Sequence, residues 1–261
     1  ADFFFQMVFV ATAMSVVSGA VAERKKLWSF LIFSAVFTAL IYPLEGAWTW
    51  GGGFLSELGF FDFAGTLILW LGWFFFNGGS QLAFSTVIDA QALGKIFVNT
   101  NMAAAGGLLG AMIVSKLWTK RVVLNVTLNG ALAGLVVITA DPLSPSPQIA
   151  VLYGMLGGGI IPFAMTLIEK WGIDDPVGAI SVHGIAGIIG LLLVPIFNAD
   201  ATIVAQAIGI ATIAGFVFIT SLTVWWLLHK SIGVRVGKEE EQVGSDMYEG
   251  TGNAYPEFMK K

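Results

Sequence analysis

The sequence has no cysteine and very little charge: 13 Lys and Arg with 17 Asp and Glu among 261 residues, 11% in all, against about 25% in soluble domains. The missing cysteines exclude disulfides and thiolate metal sites and leave the redox compartment unread. Polar stretches long enough for a soluble catalytic domain are absent before residue 231, so the chain does not read as an enzyme. Nothing in it points to a cofactor, a metal site or a nucleic-acid partner. The N-terminal "ADFFFQMVFVATAMSVVSGAVAERKK" lacks a basic region ahead of its apolar run and reads as a spanning segment rather than a cleavable signal, in a chain entered partway through. The net charge of -4 says less than the distribution of its charges.

What is present is apolar: 56% hydrophobic residues, 32 glycines, nine tryptophans and 21 phenylalanines. Runs of about 20 apolar residues recur with short polar gaps, the pattern of an all-α polytopic membrane helix bundle. Eight spans are predicted, over residues 3–22, 27–46, 66–86, 96–117, 122–140, 148–168, 176–196 and 203–228. Between the second and third, "AWTWGGGFLSELGFFDFAG" is too rich in glycine to span and carries the aromatics of an interfacial loop.

Lysine and arginine in short loops mark the cytoplasmic side. If Arg24, Lys25 and Lys26 lie inside and the eight spans alternate, then Lys116, Lys120, Arg121, Lys170, Lys230, Arg235 and Lys238 all fall outside. One extra crossing between residues 62 and 66 brings all seven inside and leaves Lys95 as the exception. A span is therefore expected to be missing near Gly65. Two half-motifs agree. In "DPVGAISVHG", Asp175 is followed by Gly178 and then His183; in "DFAGTLILWLG", Asp62 is followed by Gly65, but Trp70 stands where a second histidine is expected from an inverted repeat.

"FFQMVFVATAMSVVSGAVAER", "YPLEGAWTWGGGFLSELGFFDFAG", "LGWFFFNGGSQ", "VNTNMAAAGG", "DDPVGAISVHGIAGIIG" and "VGSDMYEGTGNAY" together resemble the ammonium transporter family (Amt, with Mep and Rh relatives), in its bacterial or archaeal Amt type. The resemblance implies eleven helices with inverted-repeat symmetry in each subunit of a homotrimer, with helices one, two and five of the family apparently absent. It divides the chain into a transporter domain, residues 1–230, and a cytoplasmic regulatory tail, 231–261. The polar tail, with "KEEEQ", would contact a PII-type nitrogen regulator, although Gly250 and Thr251 stand where many relatives have a histidine. The location implied is the plasma (inner) membrane, with multiple passes through the lipid bilayer.

Burying an ion in hydrocarbon is costly, so a pore for ammonium needs a cation site at its mouth and a polar or proton-accepting group within. On the residues alone, His183 is either a histidine bonded between helices or a group that holds ammonia and relays a proton. A helix beginning after Asp175, with Pro176 at its first position, places it about 12 Å along, near the midplane. The resemblance makes it the second member of a pair of pore histidines. His229, beside Lys230, reads as interfacial. Aromatic faces attract small cations, though a single aromatic in such a chain more often serves as packing or as an interfacial anchor. By resemblance, Trp50, Ser80 and Phe9 form the outer recruitment site, and Phe9 and Phe76 the stacked gate beneath it. Asp62 supports the recruitment site, and Trp73, Leu69 and Val16 line the pore. Asn77, Asn99 and Asn101 read as bonds between helices, and Gly106 with Gly110, Gly130 with Gly134 and Gly154 with Gly158 as close-packing pairs.

The function implied is ammonium or ammonia transport. The alternatives are an ammonium sensor with the same pore, or a non-conducting homologue that lacks the first pore histidine.

Overall fold

The computed structural model describes residues 7, 10, 11, 13–15, 17, 18, 25–44, 69–175 and 178–239; for Leu69 and Leu71 it describes the backbone alone. These residues form an all-α bundle, with no strand among them. We number its helices α1 (Leu27–Leu44), α2 (Leu69–Gly79), α3 (Val87–Thr119), α4 (Leu124–Thr139), α5 (Pro147–Lys170), α6 (Ala179–Ile196) and α7 (Ile203–Ser231). Five of them, α1, α3, α5, α6 and α7, are long and apolar enough to cross a membrane, and α4 is a shorter apolar helix. Residues described between 7 and 18 are also helical, within the first expected span.

Two boundaries differ clearly from the hydropathy reading. The expected span 66–86 is helical only to Gly79, and the helix expected from residue 96 begins at Val87. The early start has a local cause. Thr86 Oγ1 accepts from the Asp89 amide at 3.1 Å, while Asp89 Oδ2 accepts from the Thr86 amide at 2.8 Å, a capping box that satisfies otherwise orphaned N–H groups. With 33 residues α3 is about 50 Å long, well beyond the hydrocarbon thickness.

The core is α3 packed against α4 and α5 through glycine. A Cβ on Gly107 would meet the backbone of Gly130 and Gly134, one on Gly158 the carbonyl of Gly107, and one on Gly154 that of Ala103. With no hydrophobic drive between helices in lipid, such backbone contact is how they gain dispersion energy. Gly106 and Gly110 meet the backbones of Val151 and Met155 in the same way. All three glycine pairs thus serve the packing read from the sequence.

The same contacts fix direction. Ala103 with Gly154 and Gly107 with Gly158 make α3 and α5 parallel; Ala103 with Gly134 and Gly107 with Gly130 make α4 antiparallel to both. Gly178 beside Asn129 and Gly190 against Val137 set α6 parallel to α4. The Lys26 amide donates to Val234 O at 3.0 Å, Ser29 Oγ donates to Gly233 O at 2.6 Å, and Phe33 stacks on Trp225 at 4.5 Å, so α1 is antiparallel to α7. Ala140 just past α4, Val194 near the end of α6 and Ala201 just ahead of α7 cluster together, so α7 starts where α4 and α6 end; the start of α1 and the ends of α3, α5 and α7 therefore share one face, which carries Lys25, Lys26, Lys116, Lys120, Arg121, Lys170, Lys230, Arg235 and Lys238. Lys95, near the start of α3, lies toward the opposite face. Helix α2 runs antiparallel to α3, since Trp70 bonds Asn101 and Gly78 abuts Phe97.

Consequently α1 and α2, consecutive among the described helices, run in the same direction. The expected extra crossing and the Gly65–Thr66 join both fall between residues 44 and 69, outside the described residues.

Candidate functional site

Helix α2 presents aromatic rings to the junction of two apolar clusters. One cluster holds Trp73, Leu135, Val136, Ile161, Val182 and Ala186; the other holds Phe33, Phe37, Tyr42 and Leu228, and Phe76 packs against both. Trp73 is 2% exposed. Its Nε1 donates to Thr139 Oγ1, whose own proton goes to Leu135 O at 2.6 Å, so the indole is held at both its ring and its N–H. The Phe76 ring lies 6.0 Å from Trp73, centroid to centroid, tilted by 49°. One turn later, Ser80 Oγ donates to Phe76 O at 2.7 Å. The hydroxyl proton is spent there, leaving its oxygen as an acceptor.

His183 belongs to the widened π-turn Ala179–Ile185 that opens α6. This corrects the expectation that the helix begins just after Asp175: its first turn starts at Ala179, and His183 is its fifth residue rather than its eighth. Pro176 lies outside the described residues. Asp175 still caps the helix, from further out. Its Oδ1 accepts from the Ile180 amide at 3.1 Å, and its Oδ2 from the Ser181 amide at 3.0 Å and Ser181 Oγ at 2.9 Å. Gly178 supplies the left-handed residue between, with φ of +71°.

Val182 and Ala186, on either side of His183, pack in the cluster that contains Trp73. His183 Nε2 is buried and has no hydrogen-bond partner among the described residues. Burying such a nitrogen unpaired is costly, which marks it as a place for a transient partner. His229, by contrast, is exposed near the end of α7 on the basic face.

The structure thus brings Trp73 and Phe76 to the cluster that flanks His183, with Ser80 one turn above Phe76. Trp50, Phe9, Asp62, Val16 and the side chain of Leu69 lie outside the described residues. Thr139, which holds Trp73, lies in no motif; Ser181, which holds the His183 turn, lies within "DPVGAISVHG" but carries no signal of its own beside the histidine. Among the described residues no three His, Asp or Glu side chains are grouped as a metal site.

The model of the Ammonium Transporter Family matches residues 1–67 and 64–255, two pieces that overlap at residues 64–67. The ammonium transporter Amt2 of Archaeoglobus fulgidus is 34% identical, over 98% of this chain and 70% of its own. That alignment runs over 333 positions although the chain has 261 residues, so the relative carries segments with no counterpart here. A putative ammonium transporter of Synechocystis is 36% identical over 95% of this chain and 67% of its own. Among solved structures, a sensor Amt protein superposes with a TM-score of 0.87 at 32% identity, over 95% of this chain and 76% of that one. A Mep2 variant from Candida albicans superposes at 0.78 with 26% identity, over 87% and 70%. With nearly its whole length matched by the family model, the chain belongs to the ammonium transporter family.

Proposed function

We propose that this protein moves ammonium nitrogen across the plasma membrane through the subunit interior, with His183 as the group that accepts it inside. The observation that carries this reading is the buried, unpartnered Nε2 of His183 on a helix packed beside Trp73 and Phe76. Ammonium would be recruited outside by Trp50, Phe9 and the Ser80 oxygen, with Asp62 in support. It would pass the Phe9 and Phe76 gate, lose a proton, and proceed past Trp73, Leu69 and Val16. A neutral imidazole both donates and accepts, so it can hold ammonia and relay the proton. The basic face is read as cytoplasmic by the positive-inside rule. By family resemblance, the protein works as a homotrimer and its tail, 231–261, meets a PII-type regulator.

The working protein is also proposed to carry a further crossing between Gly65 and Thr66, bearing the first pore histidine. Support comes from the parallel α1 and α2, the break in the family match at residues 64–67, and the exposed position of the only other histidine.

The test is ammonium flux into proteoliposomes. His183→Ala is expected to abolish it or cut it by about tenfold or more, and His229→Ala to leave it within about twofold. Equal loss in both variants sinks the assignment. A second reading, an ammonium sensor, is favoured by the likeness to the solved sensor Amt protein. It is distinguished by ammonium binding without flux.

A further inference from the structure

Asn77, Asn99 and Asn101 look alike in the sequence but not in the bundle. Asn101 Oδ1 accepts from Trp70 Nε1 at 3.0 Å, joining α2 to α3. Asn99 donates twice, to Pro142 O at 2.8 Å and Pro145 O at 2.9 Å, and so staples the loop between α4 and α5. Asn77 is 2% exposed, and its Nδ2 donates to Thr100 Oγ1 at 2.9 Å. Its Oδ1 is buried and has no partner among the described residues. Asn99 Oδ1 is likewise unpaired, but no aromatic of the candidate site shares its helix.

Asn77 follows Phe76 directly and stands between Trp73 and Ser80. At 100° per residue these four side chains fall within about 100° of arc on α2, and positions 77 and 80 are neighbours one turn apart. Two oxygens with acceptor capacity, Asn77 Oδ1 and the Ser80 Oγ whose proton is spent on Phe76 O, therefore flank Phe76 on one side of the helix. Ammonium has four N–H donors and no acceptor. A buried unpaired acceptor lowers stability unless something donates to it, and the bond to Thr100 anchors this amide by its nitrogen while leaving the oxygen open.

We propose that Asn77 Oδ1 is a substrate-binding acceptor, taking an N–H of ammonium or ammonia as it passes Phe76. The inference rests on the ammonium-transport reading and assigns Asn77 a role beyond joining helices. A carbonyl oxygen can also coordinate potassium, so a potassium titration tests whether this acceptor favours a ligand that carries N–H.

The experiment compares the wild-type chain with Asn77→Leu, Asn77→Asp and Ser80→Ala, all purified in detergent, by titrating ammonium chloride against potassium chloride and following the thermal midpoint. The wild type is expected to gain stability with ammonium more than with potassium. Asn77→Leu removes the orphaned oxygen together with the donor to Thr100; whatever its ligand-free midpoint, it should need about tenfold more ammonium than the wild type for half of the shift. Asn77→Asp keeps an acceptor and should need no more than the wild type. The inference is overturned if Asn77→Leu responds to ammonium as the wild type does, or if Asn77→Asp is weakened as much as Asn77→Leu. If Ser80→Ala weakens the response and Asn77→Leu does not, the inference falls while the transport reading stands. A wild type that shows no preference for ammonium overturns both.

Discussion

Thr139 is the residue on which the orientation of Trp73 depends. The indole N–H of a tryptophan 2% exposed has one acceptor, Thr139 Oγ1, and that hydroxyl is held in turn by Leu135 O. Thr139→Val preserves the shape and deletes the acceptor, leaving a buried donor unpaired. The expected loss is about 1–3 kcal/mol of stability, measured by denaturation in detergent, with flux reduced because the ring can turn. If Thr139→Val denatures and transports like the wild type, the hydroxyl does not hold the ring. None of this is visible in the sequence, where Thr139 is one more residue near the end of an apolar run. His183 was legible for the opposite reason: a titratable group within a spanning run is conspicuous by its cost. What the sequence could not supply was its unpartnered nitrogen, which depends on the residues four helices bring near it.

At the scale of the element, hydropathy and capping carry different information. Hydropathy locates where a helix lies in hydrocarbon, so it set α3 at residue 96; the helix itself starts where its first amides are satisfied, at Thr86 and Asp89. The Thr-x-x-Asp spacing stands in the sequence at residues 86–89, but the boundary expected above rests on hydropathy alone. Helix α6 shows the converse. Asp175 followed by Pro176 looks like an immediate start, yet Gly178 adopts a left-handed conformation and the carboxylate reaches five and six residues ahead, to Ile180 and Ser181. The N-cap is Gly178 rather than the expected Asp175, although the Asp175 carboxylate still accepts from amides of the first turn, which starts three residues later than expected. Asp175→Ala removes three acceptor contacts from the turn that bears His183. It is expected to cost about 1–2 kcal/mol and to lower maximal flux more than it changes half-saturation, because the imidazole is misplaced rather than the recruitment site lost. Circular dichroism melts and flux against ammonium concentration separate the two effects. A variant that melts with the wild type and keeps its maximal flux would leave Asp175 without a positioning role.

At the scale of the molecule, the distribution of thirteen basic residues and the direction of seven helices lead to the same topology by separate routes. Lys25 pairs with Arg235 as a β-bridge, and Lys26 Nζ donates to Ile232 O at 3.2 Å, so the start of α1 and the end of α7 lie on one face. Alternation of the eight expected spans would set them on opposite faces. Since α1 and α2 both run away from the basic face, Gly65 should lie near the opposite face and Thr66 toward the basic one in the working protein. The lack of cysteine makes this directly measurable. Single substitutions Lys25→Cys, Lys170→Cys, Lys238→Cys and Thr66→Cys should react with a membrane-impermeant thiol reagent from the cytoplasmic side of oriented vesicles. Lys95→Cys and Gly65→Cys should react from the other side. Labelling of Lys25→Cys and Lys238→Cys from opposite sides would break the topology. Labelling of Gly65→Cys and Thr66→Cys from the same side would mean that the two residues are true neighbours, and that the pore has His183 without a second histidine opposite it.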